Sequence, residues 1–215
     1  MNQALLNEFK SNPVKLVSVT KTRGVDEIAQ LYELGFKDFG ENRVQELLTK
    51  VDKLPEDISW HIIGHLQKNK VKYIGHIVDW IHSVDSFALL KKIDHQAKKH
   101  NRQIKILFQF KIAQEDTKYG FDLESFESEI KDLDLNELSN VKFCGVMGMA
   151  SFVSDETQVE NEFKSLKSIY NTLKTKHFSD FPEFKEISMG MSGDYKIAIQ
   201  QGSTMVRIGS LIFKN

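Results

Sequence analysis

The chain is poor in cysteine and proline, with one of the former and three of the latter in 215 residues. A lone cysteine, Cys144, has no partner for an internal disulfide, which excludes a disulfide-stapled secreted scaffold. Charge of one sign is also missing: 29 basic and 30 acidic side chains leave a formal net charge of −1. That balance gives no general attraction to nucleic acid or to an anionic membrane. No run approaches the ~18 apolar residues of a membrane-crossing helix. The opening segment MNQALLNEFKSN lacks the basic and then apolar regions of a secretory signal. No Gly/Ser-rich or Pro-rich linker interrupts the sequence. These absences predict a cytoplasmic protein, one domain spanning residues 1–215, with no nucleic acid and no membrane as partner. With no coiled-coil or swapping segment, a monomer is expected.

What is present is a regular alternation. KLVSVT (15–20) reads as a strand, and VDEIAQLYEL places Val25, Ile28, Ala29 and Tyr32 at helical spacing. DFGEN and VQELLTKV form a second pair; SWHIIG and the basic QKNKVKYI form a third. IVDWIHSV precedes the long helix SFALLKKIDHQAKKH, and QIKILFQFKI precedes FDLESFESEIKDL. VKFCGVMGM is followed by a helix with Val159, Phe163, Leu166, Tyr170 and Leu173 on one face. EISMGM leads to a helix capped by Ser192 and ending near Gly202, and STMVRIG closes the series. Eight strand–helix units predict an α/β fold, a single (β/α)8 TIM-type barrel. An open doubly wound sheet is the alternative. The absence of a glycine-rich fingerprint after the first strand weighs against it.

In such a barrel the chemistry sits at the C-terminal ends of the strands. Lys21 ends the first strand and Arg207 lies in the last. Alternation puts Val17, Val19 and Lys21 on one face, and Met205 and Arg207 on one face. Closure makes these strands neighbours, so the two cations are expected side by side at the mouth. A buried guanidinium needs a partner. An ion pair to Glu41 or Asp85 would serve; so would an anionic or electron-rich ligand. Ser192-Gly193 and Gly209-Ser210 follow strands seven and eight, where barrels often seat phosphate, and each is expected to start a helical segment. A lysine crowded by an arginine suits a nucleophilic amine. Phosphate seat, Schiff-base lysine and an arginine aimed at a ring nitrogen are together the features of a pyridoxal 5'-phosphate (PLP) site. An arginine there keeps that nitrogen unprotonated.

The motifs LVSVTKT, FGENRVQE, WHIIGHLQKNK, IHSVD, MGMSGDY and GSTMVRIGSLIF make the chain resemble the pyridoxal phosphate homeostasis proteins, relatives of the alanine racemase N-terminal barrel. The resemblance runs from about residue 14 to 213. It implies Lys21 as the Schiff-base lysine and Asn42 as an asparagine near the cofactor. It also implies Ser192, Gly209 and Ser210 as phosphate contacts and Arg207 as the group facing the ring nitrogen. Asn42 also reads as the N-cap of the VQELL helix. The implied role is to hold or deliver PLP, with transient contact to PLP-requiring apoenzymes. Little turnover is expected, because racemases of this fold draw a second base from a second domain and this chain reads as one domain. A PLP-dependent racemase or decarboxylase is the alternative, and an aldolase-type Schiff-base barrel a more distant one. His65 stands where the family commonly has proline, and Lys111 where it commonly has asparagine. His61, His65 and His82 read as core or mouth histidines without metal-ligand spacing, and Cys144 as a buried thiol.

Overall fold

Short strands buried along nearly their whole length, one face to the barrel interior and one to a helix layer, set the architecture. The computed structural model describes residues 1–113 and 119–214. Its strands are β1 (Lys15–Val19), β2 (Asp38–Glu41), β3 (Ser59–Ile62), β4 (Trp80–Val84), β5 (Ile104–Lys111), β6 (Val141–Met149), β7 (Glu186–Ser188) and β8 (Met205–Ile208). They form a closed barrel in chain order. All neighbours run parallel, including the closing pair, where Val17 lies opposite Arg207. The predicted barrel is therefore the observed one.

The helices are α1 (Gln3–Lys10), α2 (Val25–Glu33), α3 (Val44–Leu48), α4 (Phe87–Lys99), α5 (Leu123–Glu129), α6 (Glu156–Lys176) and α7 (Tyr195–Gln200). Their starts follow from local chemistry. Ser86 accepts the N–H of Leu89 at the head of α4, and Asp155 accepts those of Thr157 and Gln158 at the head of α6. Such caps satisfy donors that the first turn leaves open. The inner faces then bury Leu89, Leu90, Ile93 and Ala97 from α4, and Val159, Phe163, Leu166 and Leu173 from α6. This apolar layer between strands and helices is the main core.

A second, smaller cluster fills the barrel: Val17, Val19, Ile63, Trp80, Leu107, Cys144, Met147 and Met205. Val17, Val19 and Met205 thus face inward, as strand parity predicts, while Val206 and Ile208 face the helices. Met189 belongs to the outer layer rather than to the barrel filling. The basic segment after β3 is a 3-10 stretch over Lys68–Tyr73, not an α-helix. Only Val71 is buried in it, so no apolar face holds a longer helix against the barrel. Among the described residues no helix is long and apolar enough to cross a membrane.

Candidate functional site at the C-terminal rim

Lys21 lies two residues beyond β1, exposed, in a turn whose next residue, Thr22, has φ of 63°. A non-glycine residue in that region is held there by its surroundings. Lys50 supplies them. Its Nζ donates to the Thr20 carbonyl at 2.9 Å, to Glu41 Oε1 at 2.7 Å and to Glu46 Oε1 at 2.8 Å. The Thr20 hydroxyl donates to Glu41 Oε1 at 2.6 Å, and the Thr22 N–H donates to Glu46 Oε1. Both neighbours of Lys21 are thus tied to one buried cation. Burial pushes the Glu41 carboxyl up, against the hydrogen bonds from Lys50 and Thr20. Burial acts the same way on Glu46, but there the bonds from Lys50 and Thr22 prevail and its carboxyl lies below the usual range. Sequence reasoning missed this cluster. The i,i+4 spacing of Glu46 and Lys50 was the available signal.

Arg207 is buried, 3% exposed. Its Nη1 donates to the Ser188 carbonyl at 2.8 Å and to Ser188 Oγ at 2.7 Å, and Nη2 donates to the Gly148 carbonyl at 3.1 Å. The alternative ion pair to Glu41 or Asp85 is not formed: Glu41 serves Lys50, and Asp85 accepts from His65 at 2.9 Å. All three Arg207 acceptors are neutral, and burial lowers its pKa to about 10 despite the nearby charge of Asp194. The guanidinium is turned toward β6 and β7, so the predicted side-by-side pair with Lys21 needs correction. Arg207 lies opposite Val17, and Lys21 is four residues further along in the exposed turn. The backbone carbonyls exposed by the short strand β7 capture the arginine.

The two rim loops are joined, with the Gly209 N–H donating to Ser192 Oγ at 3.3 Å. A Cβ on Gly209 would lie 3.0 Å from the Val19 carbonyl, so glycine lets this loop rest directly on β1. Two local expectations fail. Ser192 does not cap α7; the helix begins later, after Asp194, whose Oδ1 accepts the Met191 N–H. Gly209-Ser210 opens a turn closed by Ile212 N–H to Gly209 O at 2.9 Å, not a helix. The N–H groups of Ser192, Gly193 and Ser210 have no backbone acceptor among the described residues. An anion seat here therefore rests on loop N–H groups and hydroxyls rather than on helix dipoles.

Asn42 follows β2 and is half-buried; Arg43 rather than Asn42 occupies the cap position of α3, without a side-chain cap bond. Gly64 fixes Asn42 from the adjacent loop. A Cβ there would stand 2.6 Å from the Asn42 carbonyl, and Ser83 Oγ holds the Gly64 carbonyl at 2.6 Å. His65 is exposed and stacks on Tyr119 at 3.6 Å between ring centroids. Lys111 is exposed at the end of β5. His61 and His82 are fully buried inside the barrel. No group of His, Cys, Asp and Glu among the described residues could hold a metal. Cys144 is a free, buried thiol whose pKa burial pushes up to about 12.

The family model described as alanine racemase, N-terminal domain, matches residues 2–215. A pyridoxal phosphate homeostasis protein of Aquifex aeolicus is 38% identical, over 94% of this chain and 87% of that protein. One from Synechocystis is 36% identical over 93% of this chain and 90% of that protein. Among solved structures, PipY of Synechococcus elongatus with PLP bound superposes with a TM-score of 0.87 at 31% identity, covering 99% of this chain and 98% of that one.

Proposed function

This chain belongs to the pyridoxal phosphate homeostasis protein family, and from that membership we propose that it binds PLP at the C-terminal rim of its barrel. We take residues 1–215 as one such binding domain. The single observation that carries the reading is Arg207: a buried cation at the strand ends, bonded only to neutral oxygens among the described residues. Such a charge is costly without an electron-rich ligand nearby. The N–H groups of Ser192, Gly193 and Ser210, open on the same rim, fit a phosphate. The residues present therefore suit the cofactor.

When bound, PLP supplies an aldehyde that condenses with amines and a ring that withdraws electrons. Lys21 offers the amine, held in place by its tethered neighbours Thr20 and Thr22. Ser192 and Ser210 would hold the phosphate through N–H and hydroxyl donors, and Gly209, its N–H on Ser192 Oγ, would let the backbone approach closely. Arg207 would retain its own proton beside the ring nitrogen and so would keep that nitrogen an acceptor. Asn42, braced by Gly64, lines the same rim. An arginine at that position makes a weak electron sink, and an exposed Lys21 leaves water in reach. Both favour storage and delivery in the cytoplasm over rapid turnover.

Delivery requires contact with PLP-requiring apoenzymes. The rim loops offer Phe152, 95% exposed, and Tyr119, 56% exposed, for such an encounter. The deciding experiment is borohydride reduction of protein incubated with PLP, followed by peptide mass spectrometry. A pyridoxyl adduct on Lys21 is expected. An adduct on other lysines alone, or none, rejects the proposal. Assay of the loaded protein with L-amino acids separates storage from catalysis: racemisation or decarboxylation at ~1–10³ per second would make it an enzyme.

A further inference from the structure

Five side chains cross the barrel interior in an unbroken series. Asp38 Oδ1 lies 3.0 Å from His61 Nε2, and His61 Nδ1 lies 2.9 Å from His82 Nε2. His82 Nδ1 lies 3.0 Å from Ser188 Oγ, and Ser188 Oγ accepts from Arg207 Nη1 at 2.7 Å. His61, His82 and Ser188 are fully buried. Asp38 opens β2 at the opposite end of the barrel from the rim, where it also meets Lys15 Nζ at 3.0 Å.

Proton counting fixes the direction of every bond. Burial raises the Asp38 carboxyl, but the hydrogen bonds from His61 and Lys15 and the charge of Lys15 outweigh it, leaving a carboxylate below the usual range. A carboxylate only accepts, so His61 Nε2 carries a proton. Burial lowers both histidines, His82 well below its ordinary value, so each imidazole is neutral with one donor and one acceptor. His61 Nδ1 must then accept from His82 Nε2–H. His82 Nδ1 in turn accepts the Ser188 hydroxyl proton, and the Ser188 oxygen is left to accept from Arg207. Every donor points away from the arginine and toward Asp38. The ring of His61 also stacks on Trp80, with centroids 5.5 Å apart and planes 5° from parallel. Trp80 and Lys15 pack around the Asp38 end, and both Lys15 and Lys105 lie over the indole.

We propose that Asp38, His61, His82 and Ser188 form a one-way hydrogen-bond relay that positions the Arg207 guanidinium and sets, from the far end of the barrel, how strongly it polarises a ring nitrogen at the rim. The second half rests on the PLP reading; the first half does not. These four are positioning residues, acting through Arg207. A series of bonds aligned in one sense strengthens each member. The Asp38 charge therefore draws on the guanidinium across four bonds and tempers its pull on the ligand. Among the described residues Ser188 alone gives Arg207 a side-chain hydrogen bond, and its backbone carbonyl accepts a second.

The test has two arms. Nitrogen NMR of the imidazoles in protein without PLP, assigned with His61→Gln and His82→Gln, should show both rings neutral at pH 7 with the proton on Nε2. A proton on Nδ1 of either ring, or a charged ring, overturns the relay whatever the cofactor does. In the second arm, Ser188→Ala and Asp38→Asn are loaded with PLP. Each should shift the absorption band and weaken PLP about three- to tenfold, the scale of one lost hydrogen bond. The double variant should add little to Ser188→Ala, because the path is already cut. Correct tautomers with an unchanged band and affinity in both variants would overturn the positioning role. Wild-type protein that takes up no PLP would overturn the PLP reading and the second half with it, while the NMR arm decides the first half separately. Asp38→Asn preserves shape and keeps the second arm decisive should Ser188→Ala fold poorly.

Discussion

Lys50 Nζ sits 2.9 Å from the carbonyl of Thr20 and 2.8 Å from Glu46, and Glu46 accepts the N–H of Thr22. A single ammonium thereby holds both peptide neighbours of Lys21 while Lys21 itself stays free in solvent. The amine is placed by its backbone, not by contacts of its own side chain.

Replacing Lys50 tests that relationship. Lys50→Met leaves the fully buried Glu41 without its cation. Breaking one side of a buried pair costs about 3–5 kcal/mol. The variant should unfold at correspondingly lower urea and lose PLP affinity. Unchanged stability would mean that the turn at Thr22 needs no such clamp.

Lys21→Ala should behave in the opposite way. The side chain is exposed and makes no hydrogen bond among the described residues, so unfolding should stay within about 0.5 kcal/mol of wild type. The borohydride-stable adduct should vanish. Loss of the adduct together with a large loss of stability would make Lys21 structural.

Gly64→Ala probes the packing beneath Asn42. The new methyl would meet the Asn42 backbone at 2.6 Å, and backbone cannot swing aside as a side chain does. A penalty of about 1–3 kcal/mol is expected. PLP binding should weaken while Arg207 and its partners stay intact. Urea unfolding and a PLP titration of the same sample separate the two effects.

The barrel was legible because strands such as β1 and β5 are short, mostly apolar runs and each long helix carries its own cap, as at Ser86 and Asp155. Parity along β1 and β8 gave the inward face of Val17 and Met205 for the same reason. The rim was harder. Where Arg207 points depends on carbonyls of β6 and β7, which come from distant parts of the chain. The head of α7 was misplaced because Asp194, not Ser192, captures the open N–H of Met191. The histidine series was invisible because His61, His82 and Ser188 are 21 and 106 residues apart in sequence and meet only when the barrel closes.

That buried series also predicts how the fold responds to acid. His61 and His82 are neutral when folded, since burial lowers both, but regain the ordinary value of 6.5 on unfolding. Below that value the unfolded chain binds protons that the native one refuses, so stability falls as pH drops. Each histidine contributes at most about 1.4 kcal/mol per pH unit, and only between its folded and its unfolded value. Glu41, raised by burial, acts in the opposite sense. Asp38, held low, adds acid lability only below that range. Urea midpoints at pH 7, 6 and 5 should therefore fall below pH 6.5, and His82→Gln should flatten the slope. A flat profile would require charged imidazoles in the folded barrel, and two cations 2.9 Å apart beside Arg207 could not persist there.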